Sequence, residues 1–338
     1  MSEKRMGKQT ICFPSMPSIV SGAAVVGPKE GRGPLAHGFD EIMEDALNEQ
    51  RSFELAEQTM LQKACERCLQ KARMEMEQVD VMLGGDLLNQ IIATSLTARA
   101  LQRPFLGLYG ACSTMAESLL IGSMMVDGGY AKQALCTAGS HYCTAERQFR
   151  YPLEYGNQRT PAAQWTVTGS GAYLLGHGKN PWAKITCATI GKVVDYQIKD
   201  ANNMGAAMAP AAADTLLAHF QDTGRGAADY DRIFTGDLGM IGSTLLKKLM
   251  EQAGMPLTEE KYQDCGLLIF DPQDDVHAGG SGCGCSASTF AGYVYKKMRR
   301  GELDRGLIMS TGALLSTISP FQGESIPGIA HAVSLVSE

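Results

Sequence analysis

The segment Asp80-Val81-Met82-Leu83-Gly84-Gly85-Asp86-Leu87 is matched 151 residues later by Asp231-Arg232-Ile233-Phe234-Thr235-Gly236-Asp237-Leu238. Each copy is a short apolar run that ends in Gly-Asp-Leu and precedes a stretch rich in Ala and Leu or in Leu and Lys. A short apolar run before a glycine turn is typical of a buried β-strand, and the stretch that follows favours a helix. The pair therefore predicts the same strand–turn–helix unit in both halves of the chain.

A second repeated block keeps a constant spacing of 173 residues, with Cys112, Gly128 and Gly139 corresponding to Cys285, Gly301 and Gly312. In each copy a turn of small residues leads into a helix, a glycine ends the helix, and an apolar strand follows. Chance similarity between two β-α units is the alternative. We interpret the blocks as a duplicated α/β half, residues 1–178 and 179–338, with a pseudo-twofold axis. A ligand site is expected where the halves meet.

The composition is that of a folded, acidic protein. The chain has 338 residues, a net charge of −6 and 44% hydrophobic residues, which does not fit a disordered chain or a broad nucleic-acid-binding surface. No apolar run approaches the roughly 18 residues of a membrane span, and no secretory segment follows the charged residues 1–9. We therefore expect no transmembrane segment and no signal peptide. In a reducing compartment the ten cysteines stay thiols.

Cys112 is the first candidate for chemistry, because it lies at a predicted strand–turn–helix junction. The unpaired N–H groups at a helix N-terminus stabilise a thiolate and lower the pKa of the thiol. A cysteine is also a common small buried residue, so a purely structural role stays open.

Two histidines lie near the predicted turns. His277 precedes the glycine-rich stretch 278–285, and His141 follows the strand of the first half, so either could polarise a carbonyl group or pair with a carboxylate. An exposed loop histidine without a ligand is the alternative for His277. The pairs Cys65–Cys68 and Cys283–Cys285 are not completed to a four-ligand set, and the glycine stretch lacks a nucleotide-binding pattern. No metal site and no cofactor is predicted.

The turn Tyr109-Gly110-Ala111-Cys112-Ser113 is similar to the nucleophile turn of the thiolase superfamily. The resemblance implies two β-α-β-α-β-α-β-β halves related by a pseudo-twofold axis, stacked as five layers, α-β-α-β-α, and usually assembled as a homodimer. It gives Cys112 the nucleophile position and makes His277 similar to one of the partners that the second half supplies.

The sequence departs from this family where the acid–base partners belong. Phe234-Thr235-Gly236-Asp237 stands where condensing members carry a histidine turn, and Ser310-Thr311-Gly312 stands in place of a second Cys-x-Gly. Acyl transfer needs a thiolate, a proton shuttle and an oxyanion site together. We therefore expect a pocket that binds without catalysis. The alternatives are an acyl-CoA condensing enzyme or acyltransferase that uses Cys112, and a scaffold subunit whose pocket has no ligand.

Five further stretches resemble a sporulation branch of the superfamily, namely residues 11–14, 84–90, 138–141, 146–152 and 160–169. That resemblance implies binding of dipicolinic acid (pyridine-2,6-dicarboxylate) and a part in loading it, with calcium, into the developing spore. It also implies association with other proteins of the same sporulation operon, peripherally at the forespore or spore inner membrane.

A pocket for a flat aromatic dianion needs apolar walls and ends rich in cations or N–H groups. The helix N-terminus at Cys112 suits one carboxylate. The other residues expected to bind the ligand are His141, His277, Arg150, Asp86 and Asn89. Asp86 would need a cation or a proton between itself and the dianion, and Arg150 has a surface ion pair or a dimer contact as its alternative.

Overall fold

The computed structural model describes residues 4–149, 159–178 and 183–337. In these ranges the strands are β1 (Arg5–Met6), β2 (Thr10–Cys12), β3 (Ser18–Val26), β4 (Glu41–Ile42), β5 (Val81–Gly85), β6 (Phe105–Gly107), β7 (Ala134–Ser140), β8 (Trp165–Thr166), β9 (Gly169–Gly176), β10 (Ala183–Thr189), β11 (Arg232–Thr235), β12 (Tyr262–Asp264), β13 (Gly280–Ser281), β14 (Arg305–Ala313) and β15 (Gly328–Val336). The helices are α1 (Phe53–Ala72), α2 (Ile92–Leu101), α3 (Thr114–Asp127), α4 (Tyr142–Phe149), α5 (Met204–Thr223), α6 (Gly239–Gln252), α7 (Cys265–Leu268), α8 (Cys283–Thr289) and α9 (Tyr295–Arg299).

The main sheet has the same strand arrangement on each side of its centre. From the centre outwards, one side runs β3-β9-β7-β5-β6 and the other runs β10-β15-β14-β11-β12. On both sides the first two pairings are antiparallel and the next two are parallel. The two sides join where β3 pairs with β10. The duplicated α/β topology predicted from the sequence repeats is therefore confirmed.

The helices form three layers around the two half-sheets. Helix α1 packs on β3, β9 and β7 and contacts α2. Helix α3 contacts β5 and β7 of one half and β14 and β15 of the other, so it lies between the half-sheets, and α8 contacts it there. Helices α5 and α6 pack together, with α5 on β14 and β15. The order of layers is the predicted α-β-α-β-α.

Strand β7 shows how the sequence produces these layers. Ala134 and Cys136 belong to the central core, which also contains Met115 of α3. Leu135, between them in sequence, packs in the outer core with Met60 of α1. Because successive strand residues point to opposite faces, both faces of β7 are covered and the strand is an uninterrupted apolar run.

The chain passes from one half to the other between β9 and β10. The predicted boundary between residues 178 and 179 falls at the start of residues 179–182, which the structure does not describe, and it stays a prediction. The two longest helices, α1 and α5, have 20 residues each. Along the described ranges, no helix combines the length and the apolar character that crossing a bilayer requires.

Candidate functional site

Cys112 lies at the start of α3, on a turn that local hydrogen bonds hold closed. Ala111 has a positive φ of 50° and reverses the chain immediately before Cys112. The N–H of Ser113 donates to the carbonyl of Gly110 at 3.0 Å, and the Thr114 hydroxyl donates to the carbonyl of Ala111 at 2.7 Å. Cys112 is 5% exposed. The turn thus fixes a nearly buried thiol at the N-terminus of α3, where the N–H groups of Ser113 and Thr114 donate to carbonyls of the turn.

The second half of the chain closes tightly over this turn. A Cβ atom at Gly312 would lie 2.3 Å from the carbonyl oxygen of Gly110, so β14 approaches the turn as only glycine allows. Thr311, the residue before it, donates its hydroxyl to Oδ1 of Asp237 at 2.7 Å. The site therefore forms where the two halves meet.

Asp237 is a buried carboxylate at this meeting point. It is 1% exposed, and its Oδ2 accepts the N–H of Gly282 at 2.9 Å, at the start of α8. The same carboxylate lies near the thiol of Cys112 and acts on its pKa. Asp237 thus connects the turns that precede the two central helices.

The electrostatics of this pair oppose a thiolate. Burial raises the pKa of the Cys112 thiol well above its usual value, and the negative charge of Asp237 raises it further. Burial also raises the pKa of Asp237 to about 6. At neutral pH an uncharged thiol therefore faces a carboxylate. Burial and Asp237 therefore outweigh the helix N-terminus, which was expected to lower the thiol pKa.

A cavity of about 200 Å³ opens onto Cys112. Its apolar wall includes Leu87, Ala145, Phe149, Met204 and Leu315, together with three alanines, Ala111, Ala201 and Ala313. Its polar side chains are those of Tyr109, Cys112, Glu146, Thr166, Asn202 and Ser281. Both halves contribute, and among the described lining residues none is lysine, arginine or histidine. The arrangement suits a small, partly apolar ligand.

Asp86 and Asn89, both predicted to bind the ligand, do not line this cavity. The carboxylate of Asp86 accepts the N–H of Leu88 at 2.9 Å and both the N–H and the hydroxyl of Thr94 at 2.7 Å. Asn89 is exposed, and its N–H donates to the side chain of Gln148 at 3.1 Å. Asp86 thus stabilises the turn that leads into α2.

The predicted cationic groups are also placed away from the described cavity wall. His141 is buried, with Nε2 2.7 Å from the carbonyl of Ala46 and Nδ1 accepting the N–H of Cys143 at 3.1 Å. Burial lowers its pKa, so the ring is neutral. His277 lies on a loop with its Nε2 3.3 Å from the carboxylate of Asp275. Arg150 lies outside the described residues.

The site residues not predicted from the sequence include Asp237, Ser281 and the polar lining residues Glu146, Thr166 and Asn202. The repeated Gly-Asp-Leu motif marked Asp237, but its contact with Cys112 joins residues 125 positions apart and depends on the packing of the halves. Ser281 precedes α8, and its hydroxyl lies 3.4 Å from Asp237. Within the ranges described, no three His, Cys, Asp or Glu side chains are grouped to hold a metal ion.

Comparison with known proteins gives a close family match. A family model described as Stage V sporulation protein AD matches residues 7–336. Stage V sporulation protein AD of Bacillus subtilis (strain 168) is 46% identical over 330 residues, which cover 98% of this chain and 97% of that protein.

Solved structures similar to this one include enzymes with low sequence identity. Acetyl-CoA acetyltransferase from Syntrophomonas wolfei has a TM-score of 0.65 at 11% identity, covering 96% of this chain and 99% of that one. For 3-oxoacyl-(acyl-carrier-protein) synthase III from Aquifex aeolicus VF5 the TM-score is 0.59 at 12% identity, with 95% and 99% covered. At these identities the likeness concerns the fold alone. The chain has a thiolase-like fold and belongs to the Stage V sporulation protein AD family.

Proposed function

We propose that this chain binds dipicolinic acid in the Cys112 cavity and acts, without catalysis, in the uptake of this acid into the developing spore. The observation that carries the proposal is the pairing of Cys112 with Asp237. A condensing enzyme needs a base that takes the thiol proton and leaves a thiolate. Here a buried carboxylate raises the pKa of the thiol, and its oxygens also accept bonds from Gly282 and Thr311.

The cavity offers what a flat aromatic diacid requires. Phe149 and Leu87 provide apolar surface for the ring, while Ser281, Thr166 and Asn202 provide polar side chains for carboxylate oxygens. The positive end of the α3 dipole adds a favourable potential for an anion.

Charge balance favours the ligand as its calcium chelate. None of the described lining residues is a cation, and Glu146 is acidic. Two carboxylates placed here would carry their negative charge into a site that the described side chains do not neutralise. A calcium ion bound by the pyridine-2,6-dicarboxylate cancels both charges before the ligand enters.

The test is isothermal titration calorimetry of the full chain with dipicolinate, with and without calcium. We expect saturable binding that calcium strengthens and that Cys112→Ala weakens severalfold. Cys65→Ala is the matched control, because Cys65 is a buried cysteine in α1 that does not line the cavity. Isophthalate, which has the same carboxylates but no ring nitrogen, should bind more weakly since it chelates calcium poorly.

Acetyl-CoA is the competing ligand in the same experiment. Acetylation of Cys112 detected by mass spectrometry, with turnover of the thioester, would replace the proposal with an acyl-transfer enzyme. No heat with dipicolinate and no reaction with the thioester would leave only the scaffold role.

The proposed partners include a second copy of the chain and the other stage V A-operon proteins, with peripheral placement at the forespore or spore inner membrane. Strand β6 ends the main sheet on one side, and its Leu106 is 47% exposed. An open edge of this kind can pair with the same edge of a second copy. Light scattering should give a dimer that Leu106→Lys converts to monomer. A monomeric wild type at micromolar concentration would contradict the dimer.

A further inference from the structure

We propose that one face of the molecule, separate from the cavity, binds an anionic lipid surface directly. This lysine–tyrosine face comprises Lys4, Lys8, Tyr130, Lys192, Val193 and Tyr196. The inference goes beyond the ligand proposal, because it rests on charge and exposure at this face and holds whichever molecule occupies the cavity.

A groove of about 720 Å³ forms the centre of the face. Strands β1 and β2, the end of α3 and the residues after β10 line it. Among the described lining residues, the charged side chains are Lys4, Arg5, Lys8, Lys192 and the single acid Asp127. The whole chain carries a net charge of −6, so this excess of cations is local. A local positive potential attracts anionic lipid headgroups.

Apolar side chains protrude between these lysines. Tyr130 is 83% exposed at the turn that ends α3, and Tyr196 and Val193 are 61% and 57% exposed. Lys192 lines both the central groove and a second groove that contains Val193 and Tyr196, so the face is continuous. Tyrosine rings favour the headgroup level of a bilayer, and apolar side chains flanked by lysine are typical of interfacial binding.

The lysines of the face are available to bind phosphate groups. Lys4 lies 2.7 Å from Asp127 and Lys192 lies 2.8 Å from Asp214, with their side chains 49% and 60% exposed. The Asp214 side chain is 28% exposed, so the Lys192–Asp214 pair contributes little free energy and a lipid phosphate can replace Asp214. The Asp127 side chain is only 2% exposed, so Lys4 stays paired with it and contacts the lipid through the exposed part of its side chain. Lys8 is exposed, and no carboxylate of the described residues forms an ion pair with it.

The face and the cavity lie at opposite ends of α3. Cys112 precedes the helix at the cavity, and Asp127 ends it in the central groove. The helix has 14 residues, which corresponds to about 20 Å. Lipid bound at the face therefore leaves the cavity free.

The test is sedimentation of the full chain with vesicles of equimolar phosphatidylglycerol and phosphatidylcholine. We expect binding that high salt weakens and that the triple substitution Lys4→Glu, Lys8→Glu, Lys192→Glu lowers at least about a hundredfold, because each lysine near a membrane surface contributes about 1 kcal/mol. The pair Tyr130→Ser and Tyr196→Ser should lower binding severalfold without changing the charge.

The matched control reverses the same number of charges on another basic cluster, Lys297→Glu, Arg299→Glu and Arg300→Glu near the end of α9. We expect at most a twofold loss. Equal losses in the two triple variants, or no vesicle binding by the wild type, would overturn the proposal. Calorimetry with dipicolinate on the face variant reports the cavity separately, so failure at one site is distinguished from failure at the other.

Discussion

The two Gly-Asp-Leu turns of this molecule share a sequence, but their aspartates accept hydrogen bonds from different kinds of partner. Asp86 accepts three hydrogen bonds from groups two and eight residues further along the chain. Asp237 accepts bonds from Gly282 and Thr311, which lie 45 and 74 residues away. The first aspartate stabilises its own turn, whereas the second joins two central helices at the cavity.

Asp264 has the role in the second half that Asp86 has in the first, which leaves Asp237 to other partners. Its carboxylate accepts the N–H groups of Leu238 and Gly239 at 2.9 and 3.0 Å and the hydroxyl of Thr235 at 2.6 Å. Thr235 ends β11, and Leu238 and Gly239 begin α6, so Asp264 stabilises the turn before α6 as Asp86 stabilises the turn before α2. Because another carboxylate stabilises this turn, Asp237 is available to the cavity. The two copies of the motif thus have the same strand–turn–helix conformation, but their aspartates form different hydrogen bonds.

Removing the carboxylate of the first turn should have the largest effect on stability. Asp86→Ala leaves the buried N–H groups of Leu88 and Thr94 without an acceptor, which should lower the free energy of unfolding by about 4 kcal/mol. Urea unfolding followed by circular dichroism measures this loss. Asp86→Asn keeps one acceptor oxygen and should lose less. A loss below about 1 kcal/mol for the alanine variant would show that Asp86 does not stabilise the turn.

The second turn should instead make stability depend on pH. Burial raises the pKa of Asp237 from 3.8 to about 6, so the folded protein holds this proton more tightly than the unfolded chain. The contribution of protonated Asp237 to the free energy of unfolding is therefore fully present below about pH 4 and is lost as the pH rises through about 6.

We therefore compare the free energy of unfolding of the wild type with that of Asp237→Asn. The wild-type value minus the variant value should fall by up to about 3 kcal/mol between about pH 4 and pH 7. Urea unfolding of both proteins across this range measures the difference. Carboxylates far from Asp237 cancel in it, whereas Asp264, whose pKa Asp237 raises, adds a loss in the same direction. A difference that grows with pH would mean that Asp237 is stabilised as a carboxylate.

A smaller effect is expected on the reactivity of Cys112. Asp237→Asn removes a negative charge beside the thiol, so the thiol pKa falls and alkylation by iodoacetamide at about pH 8 should become about tenfold faster. Mass spectrometry of the peptide that contains Cys112 gives the rate. Asp86→Asn is the control and should change the rate less than twofold. An unchanged rate in Asp237→Asn would contradict the influence of Asp237 on the thiol.

The sequence predicted the parts of this molecule that depend on local pattern. Apolar runs, glycine turns and constant spacing between repeats established the duplicated sheet and placed Cys112 before a helix, because strands, turns and helix ends are set by neighbouring residues. The motif around Asp237 was visible at the same level.

The partners of buried polar groups could not be predicted in this way. Asp237 meets Cys112 only after the halves pack, and His141 is bonded to the carbonyl of Ala46, 95 residues away in sequence. Such contacts leave no periodic pattern, since one residue on each side decides them. From the sequence alone, a histidine after a strand that binds a ligand therefore cannot be distinguished from one that is hydrogen-bonded to a distant carbonyl.

His277 should give the smallest effect, although it was the most prominent histidine in the sequence. Its side chain is 31% exposed, it does not line the cavity, and the carboxylate of Asp275 that it contacts is 75% exposed. His277→Ala should change the free energy of unfolding by less than about 0.5 kcal/mol and the dissociation constant for dipicolinate by less than twofold. Calorimetry with dipicolinate on His277→Ala and Cys112→Ala in parallel checks this. A tenfold loss of affinity in His277→Ala would contradict the prediction and would mean that the loop of His277 closes over the bound ligand and contributes to the site.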